Sequence, residues 1–196
     1  MKLSEDFYQR PNVVTIAREL LGKVLFTRIE GAVTGGIIVE TEAYSWKERG
    51  CHAFGARKTN RNAVMFKKGG FVYVYMCYGI HYLFNVVTNR ENTPEAVLIR
   101  ALEPLTGLEQ MKLRRSILKN DIRLTSGPGK LTKALGIGRS FNGKFLLDDE
   151  IWIEDSGMKL AKRNILASER IGIDYAGEDA RLPWRFSVIG NAWVSK

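Results

Sequence analysis

Residues 35–44 read GGIIVETEAY, an apolar run of strand-forming residues that turns abruptly acidic. Side chains alternate between the two faces of a strand, so Glu40, Glu42 and Tyr44 should share one face. Two carboxylates and one aromatic ring in a row are typical of a strand end that emerges into solvent, or of a strand that leads into a cleft. The remaining sequence has to distinguish these two interpretations.

The elements on either side of this strand predict an α+β fold. Asn12 can cap a first helix whose apolar stripe is ended by Gly22. Tyr78-Gly79 would form the tip of a hairpin, and the predicted strands are 23–29, 36–44, 70–77, 82–87, 96–102, 151–153 and 184–188. Strands gathered in the middle of the chain favour a single mixed domain over residues 1–196, with a curved, mainly antiparallel sheet, flanking helices and a protruding β-hairpin.

Two further helices are predicted after the central strands. A basic helix over residues 108–119 would turn Leu108, Met111 and Leu118 inward. A short helix should start after SGPGK (126–130), whose backbone amides could hold a phosphate at the helix N-terminus. The spacing of a Walker A loop is absent, so this stretch alone is a weak indication.

Composition excludes several classes of protein. The chain has 196 residues, 45% of them hydrophobic, which is enough for one packed core and argues against disorder. Its first ten residues lack the apolar segment of a signal peptide, and the apolar window 71–87 holds too many polar atoms for a lipid-facing helix. Cys51 and Cys77 are far apart, so neither a disulfide scaffold nor a zinc site is indicated. We expect a soluble cytoplasmic protein, nucleoid-associated if its source is bacterial.

The basic residues are segregated along the chain, which has a formal net charge of +9. No Asp or Glu occurs in residues 49–90, and only Asp121 is acidic in residues 110–147, against nine Lys and Arg. This segregation indicates one basic face, the electrostatic footprint of nucleic acid binding, although a solvated basic face without a partner is the alternative. The candidate DNA-backbone contacts in these regions are Arg57, Thr59, Arg61, Lys130 and Arg139.

Three predicted strands carry a polar residue where an ordinary core would be apolar. The polar residues are Glu42, Asn85 within LFNVV and Arg100 within VLIRAL. A buried amide or guanidinium without partners is costly, so each should line a cavity or meet a partner. If the strands are neighbours, Glu42 and Arg100 could pair with Asn85 nearby. A satisfied core ion pair, or a register that turns Arg100 to solvent, stays open as an alternative.

Aromatic residues accompany this polar set. Tyr44 shares the face of Glu42, His52 follows in a loop, and Tyr75 lies in the predicted hairpin with further tyrosines around it. Tyrosines in strands usually serve packing. Basic residues interleaved with aromatic ones also suit stacked, extruded bases, and an exposed Tyr78 at a hairpin tip would suit a wedge into a duplex.

These motifs resemble the alkyladenine (3-methyladenine) DNA glycosylases. The similarity covers nearly the whole chain, in family order, and it lies in FYQRPNVVTIARELLG (7–22), VETEAY (39–44), RKTNRNAVMF (57–66), GGFVYVYMCYG (69–79), VLIRALEPLTGLE (97–109), SGPGKLTKALGI (126–137), RIGIDYAGE (170–178) and PWRFSVIGNAWVS (183–195). The resemblance implies a single mixed α/β domain that binds duplex DNA and needs no metal. It implies hydrolytic release of alkylated or deaminated purines. We expect a monomer without a cofactor, whose partner is duplex DNA that contains damaged purines.

The resemblance also implies roles for individual residues. Glu42 matches the general base, and Arg100 matches the arginine that helps to hold the attacking water. Tyr78 matches the intercalating residue, and Asn85 matches the amide that disfavours normal guanine. The rings that match the sandwich around the flipped base are Tyr44, His52 and Tyr75. The loop before His52 is one residue shorter than is usual in the family, so the position of His52 is the less secure match.

Two other functions are compatible with the same residues. One is a non-catalytic DNA- or RNA-binding module that uses the basic face. The other is a metal-dependent nuclease that uses Glu40 and Glu42, although no His-x-x-x-His or Asp-x-Asp cluster occurs. No lysine occupies an obvious pocket position on a strand, so we expect a water nucleophile and no Schiff-base lyase step.

Overall fold

The longest strand of the protein is the one that carries GGIIVETEAY. A computed structural model describes residues 1–119 and 121–195, and in it this strand, β2 (Ala32–Ser45), pairs with β5 (Glu95–Thr106) along one edge. Its other edge is shared between β1 (Val24–Ile29) and β8 (Arg185–Val188). Because β1 covers only the first half of β2, the acidic second half is open to β8 and to the C-terminal segment of the chain.

The strands of the described residues form one eight-stranded sheet in which every pairing is antiparallel. The strands not yet named are β3 (Val72–Cys77), β4 (His81–Thr88), β6 (Ile151–Glu154) and β7 (Ile165–Ser168). The sheet order is β3-β4-β5-β2-β1-β6, with β8 added to β2 and β7 added to β8. The predicted mixed fold with a mainly antiparallel sheet is confirmed.

The helices lie against this sheet. They are α1 (Glu5–Gln9), α2 (Val13–Glu19), α3 (Leu108–Arg115) and α4 (Pro128–Leu135). Asn12 caps α2 as predicted, since its side chain accepts a hydrogen bond from the Thr15 amide. The apolar stripe of α2 is buried against β2 and β5, while α4 packs on β4 and β5. Within the described residues, no helix combines the length and the apolar character needed to cross a membrane.

Three expectations about the elements were wrong. The basic helix ends at Arg115 and not at residue 119, because Ser116 takes a left-handed conformation with φ 55°. Leu118 is therefore 97% exposed and does not face inward, whereas Met111 is buried as predicted. The helix expected after SGPGK begins within it, with Pro128 in its first turn, where the missing amide hydrogen is no loss. The elements α1 and β7 were not predicted.

Alternation along the central strands separates a helix-facing side from an open side. On β3, Val72 and Val74 belong to the main core, while Tyr73 and Tyr75 point to the opposite face. On β5, Val97 and Ile99 belong to the same core. Leu98, Arg100, Leu83 and Asn85 lie on the open side and line a cavity.

A double irregularity between β2 and β5 aims the acidic row at this open side. Pairing passes from Ile38–Leu102 to Glu40–Ala101 and then to Thr41–Ile99. This register leaves Val39 on β2 and Arg100 on β5 without a partner. Bulges of this kind re-aim side chains and are frequent beside active sites. Here they let Ile38 stay in the core while Glu40 and Glu42 both reach Arg100.

Candidate active site

The open side of the sheet forms the floor of a cavity of about 580 Å³, within the size range of small-molecule sites. Loop 46–71 and the segment 171–175 supply further walls. Among the predicted site residues, the cavity is lined by Tyr44, His52, Arg61, Tyr75, Tyr78, Asn85, Arg100 and Lys130. The three strands that carry Glu42, Asn85 and Arg100 therefore meet at one site.

Glu42 lies one layer beneath the cavity surface and is fully buried. Its Oε1 accepts hydrogen bonds from the Ile171 amide at 2.8 Å and lies 3.2 Å from Nη1 of Arg100. Its Oε2 accepts a hydrogen bond from the Tyr44 hydroxyl at 2.8 Å. Each carboxylate oxygen has about two acceptor positions, and the Tyr44 hydroxyl is bound at one of those on Oε2. The Ile171 amide, the Tyr44 hydroxyl and the Arg100 guanidinium together fix the orientation of the carboxylate.

Arg100 is held from behind by Glu40. The guanidinium Nε donates to Glu40 Oε1 at 3.1 Å, and Glu40 also accepts hydrogen bonds from Arg185 Nε at 2.7 Å and from the Ser195 amide at 2.8 Å. Burial on its own lowers the pKa of Arg100, but the charges of Glu42 and Glu40 outweigh it and raise that pKa. Arg100 is only 7% exposed, so the register that would turn it to solvent is excluded.

The rings of His52 and Tyr75 form one wall of the cavity. Their centroids are 4.5 Å apart in an edge-to-face arrangement, and His52 Nδ1 shares a hydrogen bond of 2.9 Å with the Tyr73 hydroxyl. A base between two rings needs roughly 7 Å, two van der Waals contacts. No base therefore fits between His52 and Tyr75, so the free faces for stacking are this wall and the ring of Tyr44.

His52 is exposed at the cavity, while the rings of Tyr73 and Tyr75 pack against one part of its imidazole. This packing removes water from the imidazolium form, and together with the positive charge of Arg61 it lowers the pKa of His52 to about 4. Burial also raises the pKa of the Tyr44 hydroxyl, with the Glu42 charge adding to the effect. The wall and Tyr44 are thus uncharged at neutral pH.

Asn85 lies on the cavity floor and is 4% exposed. Its Nδ2 donates to the Tyr73 carbonyl at 3.2 Å and to the Leu83 carbonyl at 3.4 Å. Both acceptors belong to the β3–β4 hairpin, so the amide is fixed to the strands that present it.

The predicted DNA contacts divide into two groups. Arg61 and Lys130 line the cavity: Arg61 donates to the Met76 carbonyl at 3.4 Å and lies over the Tyr75 ring, and Lys130 lies in the first turn of α4. Arg57, Thr59 and Arg139 are exposed outside the cavity lining.

The loop that carries Arg57, Thr59 and Arg61 is organised by Asn62. This buried side chain donates to the carbonyls of His52 and Arg57, at 2.8 and 2.9 Å. It also accepts a hydrogen bond of 2.7 Å from the Thr59 amide. Asn62 thus ties the exposed loop to the wall of the cavity.

Tyr78 projects from the rim of the cavity and is 87% exposed. It lies in the turn from Cys77 to Ile80, which is closed by a hydrogen bond from the Ile80 amide to the Cys77 carbonyl. Both central residues have positive φ, 49° for Tyr78 and 72° for Gly79, which is the pattern of a type I′ turn. The predicted hairpin tip is confirmed, and packing in a core is excluded for this ring.

Sequence reasoning missed several residues that complete the site. Tyr73 bonds to His52, Arg185 and Ser195 hold Glu40, and Arg170 pairs with Glu48 behind Tyr44. Their partners lie far away in the sequence, 145 and 155 positions for Arg185 and Ser195. The one signal for these four residues in the sequence was their position within the motifs that resemble the family.

Comparisons with known proteins agree with this geometry. A family model described as Methylpurine-DNA glycosylase (MPG) matches residues 6–192. A relative from Natranaerobius thermophilus is 44% identical over 198 residues, which span 100% of this chain and 99% of that protein. Relatives from Chlamydia abortus and Clostridium acetobutylicum are 47% and 44% identical and span 94% and 100% of this chain, and 96% and 98% of their own lengths.

Each of these three relatives bears the name "Putative 3-methyladenine DNA glycosylase". The family match covers far more than half of the chain, and the three relatives align along nearly their whole length. The chain belongs to the methylpurine-DNA glycosylase family.

Proposed function

We propose that the cavity accepts a damaged purine flipped out of duplex DNA and that Glu42 and Arg100 direct a water molecule at its glycosidic carbon. The activity follows from family membership: the chain is an alkylpurine-DNA glycosylase, a hydrolase of N-glycosidic bonds in base excision repair. The observation that carries the proposed mechanism is one oriented carboxylate, Glu42, beneath an aromatic cavity whose rim bears the exposed ring of Tyr78.

The flipped base would stack between Tyr44 and the wall formed by His52 and Tyr75. A cationic alkylated purine is attracted to the electron-rich faces of these rings, and a neutral deaminated purine is held by stacking. A neutral His52 suits this task because a second positive charge against a cationic base would repel it. The uncharged rings of the wall can therefore stack against a lesion that carries a positive charge.

The chemical step would use the second acceptor position of Glu42 Oε2. Entry of the nucleotide beside Tyr44 would make room there for a water molecule, which Arg100 would help to hold. As the bond between the base and C1′ breaks, Glu42 would take a proton from this water while the water oxygen bonds to C1′. The negative charge of the carboxylate would also stabilise the oxocarbenium-like transition state. The products are the free base and an abasic site.

Asn85 would act against undamaged guanine. Its amide is fixed on the cavity floor by two backbone carbonyls, so it cannot turn away without losing both hydrogen bonds. The exocyclic amine of guanine would then meet an immobile group. A steric clash built against the wrong substrate is one way in which a site gains specificity.

The basic loops would hold the DNA backbone. Arg57, Thr59 and Arg139 are exposed, and Lys130 lies where α4 presents its first backbone amides. The strands of the described residues form one sheet, so we propose that the whole chain works as one glycosylase domain. We further propose that it acts as a monomer. We propose a cytoplasmic location, at the nucleoid if the source is bacterial, because the proposed substrate is DNA.

Two observations disfavour the alternative functions. Both carboxylates that a metal-dependent nuclease would use, Glu40 and Glu42, face guanidinium groups that compete with a cation. A plain binding module has no need for an oriented carboxylate beneath an aromatic cavity. The geometry therefore fits base excision best.

One assay distinguishes the three functions. Duplex DNA that contains a single hypoxanthine or 3-methyladenine is treated with the protein in the presence and in the absence of EDTA, and free base and alkali-sensitive sites are then measured. We expect stoichiometric release of the base, with strand breaks only after alkali. Breaks that disappear with EDTA would indicate a nuclease, and intact DNA would indicate a binding module; either result contradicts the proposal.

A further inference from the structure

A buried ion pair lies behind the cavity, outside its lining. Arg170 and Glu48 have side-chain exposures of 0% and 3%, and Nη1 and Nη2 of Arg170 each donate to one oxygen of Glu48 at 2.8 Å. A buried pair seldom adds net stability, because removing two charges from water is costly. Its place in the fold points to another role.

Glu48 organises the short loop that leads to His52. Besides Arg170, it accepts hydrogen bonds from the Ser45 amide at 3.3 Å and from the Gly50 amide at 2.7 Å. A Cβ atom at Gly50 would lie 2.9 Å from Glu48 Oε2, so the loop closes tightly around this carboxylate. The loop between Ser45 and His52 therefore folds around the carboxylate of Glu48, which is the partner of Arg170.

Arg170 connects the C-terminal part of the chain to strand β2, next to Glu42 and Tyr44. Its Nη1 donates to the carbonyl of Ala43 at 2.9 Å, between Glu42 and Tyr44, and its guanidinium lies 4.8 Å from the centre of the Tyr44 ring. The next residue, Ile171, donates its amide hydrogen to Glu42 Oε1 at 2.8 Å. Arg170 therefore fixes one of the three donors that orient the Glu42 carboxylate.

We propose that Arg170, held by Glu48, is a positioning residue for Glu42. Its contacts join β2, the His52 loop and the Ile171 amide into one rigid unit. If the guanidinium loosens, the Ile171 amide shifts and the carboxylate turns away from the water position. A displacement of about 1 Å at a reacting group can lower a rate by about 10²-fold. This proposal rests on the proposed function of Glu42.

The test compares Arg170→Lys and Glu48→Gln with Arg114→Lys as a matched control. Arg114 also donates to a backbone carbonyl and to a side chain, those of Ala134 and Thr34, but it is not among the cavity-lining residues. Base release from a hypoxanthine duplex is followed in single turnover at saturating enzyme. This rate constant refers to the bound complex and does not depend on the folded fraction. Melting temperature and a fluorescent base beside the lesion report stability and flipping.

We expect both site variants to lose about 10²-fold in the single-turnover rate constant, with a much smaller change in flipping. The control should lower the melting temperature and keep the wild-type rate constant. Wild-type rate constants in the site variants, whatever their melting temperatures, would overturn the positioning role. Glutamine has the same shape as glutamate, so Glu48→Gln tests the same ion pair if Arg170→Lys does not fold. A wild-type protein that releases no base would refute the proposed function itself.

Discussion

Glu42 accepts two hydrogen bonds, from the Tyr44 hydroxyl and the Ile171 amide, and forms an ion pair with Arg100. A buried carboxylate with that arrangement is held in one rotamer before substrate arrives. Arg100 is also held in place before substrate binds, because its guanidinium contacts Glu40 on one side and Glu42 on the other. Both groups are thus preorganised, which is the main source of catalytic power in sites of this kind.

His52 should titrate far below the usual range for histidine. Crowding of the ring and the charge of Arg61 lower its pKa from 6.5 to about 4. We expect an NMR titration of the imidazole signals with a midpoint near that value, and a higher midpoint in Arg61→Gln because one of the two causes is removed. A midpoint near 6.5 in the wild type would contradict the assigned environment.

The same shift predicts the direction of a pH effect on stability. Between pH 6.5 and about 4 the unfolded chain binds a proton at His52 that the folded chain does not bind. The contribution of His52 to the free energy of unfolding should therefore fall as pH decreases through this window. A His52→Gln variant should lack this contribution, which chemical denaturation at several pH values would measure.

At the scale of elements, the tip of the β3–β4 hairpin places a tyrosine in an unfavourable backbone conformation. Type I′ turns favour Asn-Gly at their centre, yet this turn has Tyr78-Gly79 with φ of 49° and 72°. A tyrosine in the left-handed region is strained, and its ring is exposed to solvent. Such strain is typical of positions kept for function.

Tyr78→Asn should therefore change stability and flipping in opposite directions. We expect the free energy of unfolding to rise by about 1 kcal/mol, since asparagine tolerates the left-handed conformation better. Lesion-specific binding and the flipped population should fall, because the ring that fills the vacated stack is lost. Leu113→Ala, at another exposed apolar side chain, should change neither. Unaltered base flipping in Tyr78→Asn would contradict the proposed role of Tyr78 as a wedge.

Local patterns predicted most of these elements, and their limits have physical causes. Alternation identified the row of Glu40, Glu42 and Tyr44, and the polar interruptions Asn85 and Arg100 marked the open face. The bulges at Val39 and Arg100 depend on how β2 and β5 align across 60 residues, which periodicity does not report. Leu118 was misassigned because helical periodicity continued past Ser116, where the backbone turns left-handed.

At the scale of the whole molecule, the basic segments gather around one opening. Lys130 and Arg61 lie at the cavity, and Arg57 and Thr59 extend the loop that Asn62 ties to its wall. Arg61 and Lys130, which come from the two acid-poor segments of the sequence, thus lie at the same cavity. A duplex held there would present a flipped nucleotide directly to the aromatic wall.

Neutralising the predicted DNA-backbone contacts should weaken binding to every DNA sequence alike. In Arg57→Gln and Arg139→Gln, each lost phosphate contact should reduce the slope of log affinity against log salt by about 0.9. Glu109→Gln, which changes charge on the exposed side of α3, is a suitable control. Filter binding or anisotropy over a range of salt concentrations measures the slopes. Slopes equal to that of the wild type would show that these residues do not contact phosphates and lie on an ordinary solvated surface.

The central claim is that Glu42 performs the chemistry, and Glu42→Gln tests it most directly. Glutamine keeps the shape of the side chain, so the fold, DNA binding and the flipped population of a reporter base should persist. The single-turnover release of hypoxanthine or 3-methyladenine in EDTA should fall by about 10²–10⁴-fold, the range for loss of a general base. A rate constant close to that of the wild type, with flipping intact, would contradict the claim.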